Sequence, residues 1–294
     1  MDLTRLRAAV VGHVEWVTFL PVDRVPAPGV IAHADESWDE AAGGGGVAAV
    51  EMARLCGRAA LFTALGEDAA GHAARAQLEG PGVQVHAAGV AVQRRAVTLL
   101  DPHGERTIVV IGPAAGPSAE RGPSLDALAG ADAVYFCKGD AAALRMARRA
   151  RVLVATARVL PVLQEAGVEL DALVHSARDP GERYQPGDLM PAPRLVATTE
   201  GAAGGAWTRK ADGATGRWAA AMLPGPVRDT YGAGDCFAAA LTLALAAGQC
   251  AQEACEFAAT RGAAAVVRRG AHGLGASRLD AAPGPAVAPF TARR

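Results

Sequence analysis

The chain has 294 residues, 51% of them hydrophobic, and its 29 basic and 30 acidic side chains leave a net charge of −1. Such balance gives no electrostatic footprint for nucleic acid or an anionic membrane, and neither is expected as a partner. No apolar run reaches the roughly 20 residues that span a bilayer.

Five scattered cysteines (Cys56, Cys137, Cys236, Cys250 and Cys255) form no Cys-x-x-Cys, which suits free thiols in a reducing cytoplasm. Residues 1–12 carry no signal-peptide layout. Lys138 and Lys210 are the only lysines among many arginines, and with so much Ala and Gly this reads as GC-rich, bacterial coding.

In chain order, residues 7–12 predict a buried first strand ending at Gly12. Short β-like pieces follow over 14–37, broken by Pro21, Pro26, Pro28 and Gly29. A glycine run then leads into a helix over Val47–Leu55, which Gly57 ends, and Ala59–Leu65 predicts the next strand. Gly66-Glu67-Asp68 opens a helix to about Leu78. Residues 83–112 read as β segments, with Asp101-Pro102-His103-Gly104 turning a hairpin of Arg95–Leu100 and Arg106–Ile111. From residue 125 the rhythm is strand then helix. The strands are Ala133–Phe136, Arg151–Ala155, Ala172–Val174 and Leu195–Thr198, with helices around 140–150 and 158–166. This alternation predicts an α/β fold, a largely parallel sheet covered by helices on both faces. Trp207–Trp218 predicts a hairpin around Ala211-Asp212-Gly213, and Cys236–Ala247 an apolar helix. The Pro- and Ala-rich tail over 280–294 reads as disordered. With no repeat and no linker, one domain over 1–294 is expected.

The most informative stretch is Asp229-Thr230-Tyr231-Gly232-Ala233-Gly234-Asp235-Cys236-Phe237. Two glycines around one alanine let the backbone turn tightly and approach a ligand. Entering a helix, Gly232, Ala233 and Gly234 present unpaired N–H groups at the positive end of the helix dipole, a cradle for phosphate. Asp235 at that mouth is ionised at pH 7 and can accept a proton. The same residue types also serve ordinary helix starts and turns, so the pattern alone leaves both readings open.

Other motifs are absent. Neither lysine stands in Gly-x-x-x-x-Gly-Lys-Ser/Thr, so there is no P-loop. Protein-kinase signatures, a Gly-x-Ser-x-Gly elbow, His-Glu-x-x-His and paired cysteines are missing too. Residues 44–49 fit Gly-x-Gly-x-x-Ala, but the polar run Glu36–Glu40 precedes them where a dinucleotide site needs a buried strand. Arg158, after the strand ending at Ala155, reads either as a phosphate contact or as a surface arginine.

The nine-residue string resembles the signature of PfkB-type carbohydrate kinases of the ribokinase-like superfamily, Asp-Thr-x-Gly-Ala-Gly-Asp-x-Phe, at every fixed position. Ala42-Gly43-Gly44-Gly45-Gly46-Val47-Ala48 with Ala53-Arg54-Leu55 is similar to that family's N-terminal signature. The resemblance implies a three-layer α/β/α core with a mostly parallel sheet and a small β-sheet lid from about 14–37 and 92–112. It implies an ATP-dependent kinase of a small sugar or sugar-like metabolite, with Asp235 as base and the Gly232–Gly234 backbone as anion hole. A nucleoside kinase and a non-catalytic binding protein of kinase descent are the alternatives. Gly43, Gly44, Gly45, Val47, Glu15, Arg106 and Asp229 fall where the substrate would lie. Asn is usual at Val47 and Asp at Val17, both reading sugar hydroxyls, so Glu15 is the carboxylate left for a diol. Arg106 suits an anionic substrate group, or is simply solvated. Ser176-x-x-Asp179 stands for the usual Asn-x-x-Glu, making Asp179 a magnesium ligand through water. Thr198, Glu200, Gly201 and Gly204 resemble the turn that borders the nucleotide, with Thr230 and Gly270 beside it. ATP and Mg2+ are the implied cofactors, a monovalent cation is left open, and a homodimer through the lid is the expected partner arrangement.

Overall fold

The computed structural model describes residues 1–113 and 115–273. The tail expectation over 280–294 lies outside the described residues. In chain order the elements are β1 (Ala8–Val11), β2 (Glu15–Pro21), β3 (Trp38–Ala42), α1 (Gly43–Cys56), β4 (Ala59–Gly66), α2 (Ala69–Glu79) and β5 (Val83–Val90). Next come β6 (Arg95–Leu100), β7 (Arg106–Ile111), β8 (Ala133–Phe136), α3 (Ala141–Ala147), β9 (Val152–Thr156), α4 (Leu160–Ala166) and β10 (Ala172–Ser176). The last are β11 (Leu195–Thr199), β12 (Gly205–Arg209), β13 (Thr215–Trp218), α5 (Ala233–Ala246) and α6 (Ala251–Val266).

A nine-stranded sheet runs in the order β13-β12-β11-β10-β9-β8-β1-β4-β5. Its strands are parallel from β11 through β5, while β12 and β13 pair antiparallel at one edge. Side chains of the central strands alternate between two apolar clusters. Val10 faces α1, α5 and α6, whereas Ala9 and Val11 face α3 and α4. This period of two buries both faces and gives three layers. The strand lengths follow from that burial: β1, β8 and β9 are wholly buried, as their unbroken apolar runs require.

A second sheet of four strands, β3-β2-β6-β7, stands apart. The β6–β7 hairpin falls over the predicted residues. The first segment differs from expectation, because β3 lies beyond residue 37 and pairs antiparallel with β2. The Glu36–Glu40 run read as polar therefore contains the start of a strand. Trp38 and Asp39 remain accessible while Glu40, Ala41 and Ala42 are buried, which masked the β pattern. A third apolar cluster, with Val17, Phe19, Val47, Tyr231 and Cys236, joins this sheet to α1 and α5.

Helix α1 starts at Gly43, four residues before the predicted Val47, so the glycines form its first turn. Packing explains them. A Cβ on Gly45 would lie 2.6 Å from the Gly12 carbonyl carbon and 2.7 Å from the His13 oxygen, both backbone atoms. The helix abuts the end of β1 through bare backbone, and no other residue permits that approach. Other boundaries have local causes: Asp68 and Asp140 cap α2 and α3 by accepting from Gly71 N–H and Ala143 N–H, and left-handed Gly57 stops α1. Among the described residues no helix is long and apolar enough to cross a membrane.

Candidate active site

The carboxyl ends of β1, β8, β9, β10 and β11 share one edge of the large sheet, where open α/β sheets bind ligands. Helix α5 points its N-terminus at this edge. Gly232, left-handed at φ 73°, turns the chain into the helix, and a Cβ there would strike Val47. No described residue accepts a hydrogen bond from the N–H groups of Ala233, Gly234 or Asp235. These are the orphan donors of a helix start, at its positive end.

Asp235 occupies the third position of α5, and its neighbours crowd it. Tyr135 Oη donates to its Oδ1 at 3.4 Å, and a Cβ on Gly44 would stand 2.8 Å from that oxygen. Burial pushes the Asp235 carboxyl up to about 6, against the pull of the Arg158 guanidinium; the Glu182 carboxylate adds to the rise. The loop beneath is pinned by Asp229, which is 1% exposed. Its carboxylate accepts from Tyr231 N–H at 2.7 Å and Gly270 N–H at 3.0 Å. Asp229 and Gly270 are thus bonded to each other.

Arg158, at the end of β9, donates through one nitrogen, Nη2, to Asp179 at 2.7 Å and Glu182 at 2.6 Å. Asp179 also accepts from Gly181 N–H at 2.8 Å, and Glu182 accepts from Ser176 N–H at 2.9 Å. Hydrogen bonding from Gly181 and Arg158 holds the Asp179 carboxyl below its usual range. Two carboxylates from one turn converge on a single cationic nitrogen. The guanidinium already balances both carboxylates and each of their four oxygens accepts a hydrogen bond, so a Mg2+ here would share oxygens with Arg158 or be reached through water. No group of three or more metal-ligating side chains gathers among the described residues.

On the other side of Asp235, Glu15 begins β2 and is 6% exposed. Arg94 Nε donates to it at 2.8 Å. Burial pushes the Glu15 carboxyl up, and Arg94 opposes the shift. Val17 and Val47 are at most 1% exposed and sit in the apolar cluster with Tyr231. The first donors of α1 already have partners. Gly43 N–H donates to Tyr231 Oη at 3.2 Å, Gly44 N–H to His13 Nε2 at 3.4 Å, and Gly45 N–H to the His13 carbonyl at 3.0 Å. Burial holds the His13 imidazole down at about 4, so it is neutral.

Arg106, first residue of β7, donates to Thr230 Oγ1 at 3.0 Å, and Thr230 N–H and Oγ1 donate to the Gly104 carbonyl at 3.0 and 3.1 Å. Thr230 therefore ties the tip of the β6–β7 hairpin to the Asp235 loop. Thr198 and Thr199 end β11, in register with His175 and Ser176 on β10. Thr198 Oγ1 shares a 2.8 Å hydrogen bond with His175 Nε2. Beyond them Glu200, Gly201 and Gly204 form a closed turn, in which Glu200 N–H donates to the Gly204 carbonyl at 2.8 Å and the Glu200 carboxylate pairs with Arg217.

Sequence reasoning missed Tyr135, Glu182, Arg94 and the depth of Tyr231. Glu182 follows Asp179-Pro180-Gly181, which reads only as a turn. The turn folds its carboxylate back onto Ser176, and nothing in the spacing signals that. Tyr135 lies in an apolar strand run and looks like core.

The model of the pfkB family of carbohydrate kinases matches residues 5–164 and 169–275. No curated protein matches the sequence. Solved structures do match in fold. A ribokinase from Cryptococcus neoformans in complex with ADP has a TM-score of 0.69 at 22% identity, covering 91% of this chain and 95% of its own. An adenosine kinase from Sinorhizobium meliloti has a TM-score of 0.71 at 18% identity, with coverages of 89% and 94%. A ribokinase from Arabidopsis thaliana complexed with ribose and ATP has 0.67 at 20%, with coverages of 89% and 92%. The family match takes in both sheets and the Asp229–Phe237 loop, and by it the chain belongs to the pfkB family of carbohydrate kinases.

Proposed function

We propose that the protein transfers the γ-phosphate of ATP to a hydroxyl of a small sugar or sugar-like metabolite. The observation that carries this is Asp235, a carboxylate raised to about 6 at the mouth of a helix whose first N–H groups are free of protein partners. Asp235 takes the proton as the acceptor hydroxyl attacks; a base with a pKa near the working pH serves that role well. The N–H groups of Ala233 and Gly234, in the turn that Gly232 opens, receive the charge that spreads over the transferring phosphoryl oxygens. Asp179, with Glu182 beside it, would hold Mg2+ through water, and the ion would supply charge neutralisation on the phosphates. Arg158 sits between those carboxylates and Asp235 and tunes the base. The Thr198–Gly204 turn, one strand over from the metal carboxylates, is the proposed nucleotide border. The four-stranded sheet serves as the lid, with Arg106 and Thr230 as its latch to the Asp235 loop, and it keeps water from the phosphoryl group.

Strand β7 supports a homodimer. Ile108, Val109, Val110 and Ile111 are 40–57% exposed on an edge strand, and such an edge recruits a second strand. The two valines at sugar-reading positions favour one further reading, a binding protein that does not turn over. Measuring ADP release with MgATP over sugars, sugar acids, sugar phosphates and nucleosides separates the two. Acceptor-stimulated release supports the kinase. Ligand-induced stabilisation without any release supports the binding protein.

A further inference from the structure

The ground between the start of α1 and the Asp235 loop is unusual in what it lacks. Val17 and Val47 bring no polar atoms, and the first three N–H groups of α1 are taken by Tyr231 and His13. The Tyr231 ring stands edge-on to Phe19 with centroids 5.1 Å apart and is 7% exposed, so it fills the space between Gly43 and the Asp235 loop. Glu15, the remaining carboxylate, is already committed to Arg94. A neutral ring sugar binds by exchanging water for hydrogen bonds at several hydroxyls, and a floor without partners makes that exchange costly.

Two cations flank this floor. Lys138 follows Cys137 at the carboxyl end of β8, and Cys137 Sγ would touch a Cβ on Gly44, the residue that also abuts Asp235. Lys138 is half-buried, its stem under Gly116. Arg106 reaches over from β7 and bonds only the neutral Thr230. Among the described residues neither cation forms an ion pair, whereas Arg94 and Arg158 are both paired with carboxylates. Geometry places them on either side of it: Arg106, exposed, bonds Thr230 next to Tyr231, and Lys138 follows the cysteine that abuts Gly44. The charge of Lys138 bears on His13, and that of Arg106 on Tyr231, Asp235, Asp229 and Asp179.

Building on the kinase reading above, we propose that the acceptor is an anionic hydroxy compound, a hydroxylated carboxylate or phosphate monoester. Its charged end is held by Lys138 and Arg106, and Tyr231 closes the floor to neutral rings. Lys138 gives a compact donor and Arg106 a two-pronged one, which together suit a carboxylate or a phosphate. The acceptor hydroxyl then lies toward Asp235, with the anionic end away from the incoming phosphoryl group, where like charges repel least.

The test compares kcat/KM for D-gluconate, D-glycerate, D-ribose 5-phosphate and D-fructose 6-phosphate with that for D-ribose, D-fructose and adenosine. The expected result is that one anionic set leads, the carboxylates or the phosphate esters, and the split between the sets identifies which. In Lys138→Met the ratio of anionic to neutral kcat/KM falls ten- to a hundredfold, the size of one lost charge-assisted hydrogen bond, and Lys138→Arg restores most of it. Tyr231→Ala moves the ratio the same way by admitting neutral sugars. A ratio unchanged in Lys138→Met, or neutral sugars leading in the wild type, overturns the inference while leaving the kinase intact. Melting temperature with each compound, and separately with MgATP, covers the case of no turnover. Stabilisation by the anionic compounds that is lost in Lys138→Met then sustains the anion site even though the kinase reading falls. Its absence removes both.

Discussion

Replacing Asp235 by Asn removes the proposed base and at the same time relieves a burial cost, so the variant should lose activity and gain stability. The Asp235 carboxyl stands at about 6 against an ordinary 3.8, mainly because burial disfavours its charge. That difference, at about 1.4 kcal/mol for each unit, is worth about 3 kcal/mol. The sign follows from the direction. A carboxyl raised in the folded state costs nothing below the unfolded value near 4, and the full amount once pH has risen past about 6. The wild type therefore loses stability between those limits, and Asp235→Asn does not. Urea unfolding at pH 7.5 should show the variant more stable by up to about 3 kcal/mol, a gain that shrinks toward zero near pH 4. Turnover should fall at least a hundredfold, the usual worth of a positioned base. In the wild type, kcat/KM should rise with pH through about 6. Turnover within tenfold of wild type refutes the base. A stability gain absent at pH 7.5, or equal at both pH values, refutes the desolvation argument.

Three further outcomes are expected. Arg158→Met removes the cation that holds the Asp235 pKa down, so the acid limb of the kcat/KM profile moves to higher pH. The rate at pH 6 relative to pH 8 should fall by about tenfold, and an unmoved limb would mean that Arg158 does not reach Asp235 electrostatically. Gly45→Ala drives a Cβ into the Gly12 and His13 backbone, neither of which can swing aside. Thermal unfolding should register a loss of about 3 kcal/mol or more, and a neutral substitution would contradict the close approach of α1 to β1. Val110→Lys places charge on the exposed β7 edge, so sedimentation should show dimer giving way to monomer with the fold kept; an unaltered state would place any interface elsewhere.

The two sheets illustrate what was legible beforehand. The β6–β7 hairpin was readable from Asp101-Pro102-His103-Gly104 because turn residues between alternating apolar runs act locally. The start of α1 was not, since a glycine run carries no helical preference, and packing against β1 made those residues helical. β3 was hidden for a related reason: Trp38 packs on Phe19 while Asp39 points to solvent and Glu40 is a buried carboxylate, so its sequence lacks the run of apolar side chains that marks the buried strands of the large sheet.

From sequence alone came the layered α/β core and the Asp229–Phe237 stretch with its acid, because periodicity, turn chemistry and a contiguous motif need only neighbouring residues. The rest of the site waited on tertiary structure. Tyr231 meets Gly43 across 188 residues, Arg94 meets Glu15 across 79, and Arg158 meets Glu182 across 24. Such pairings depend on which strand ends the sheet order brings side by side. That order is set by burying both faces of the whole sheet, a property no local stretch of the chain expresses.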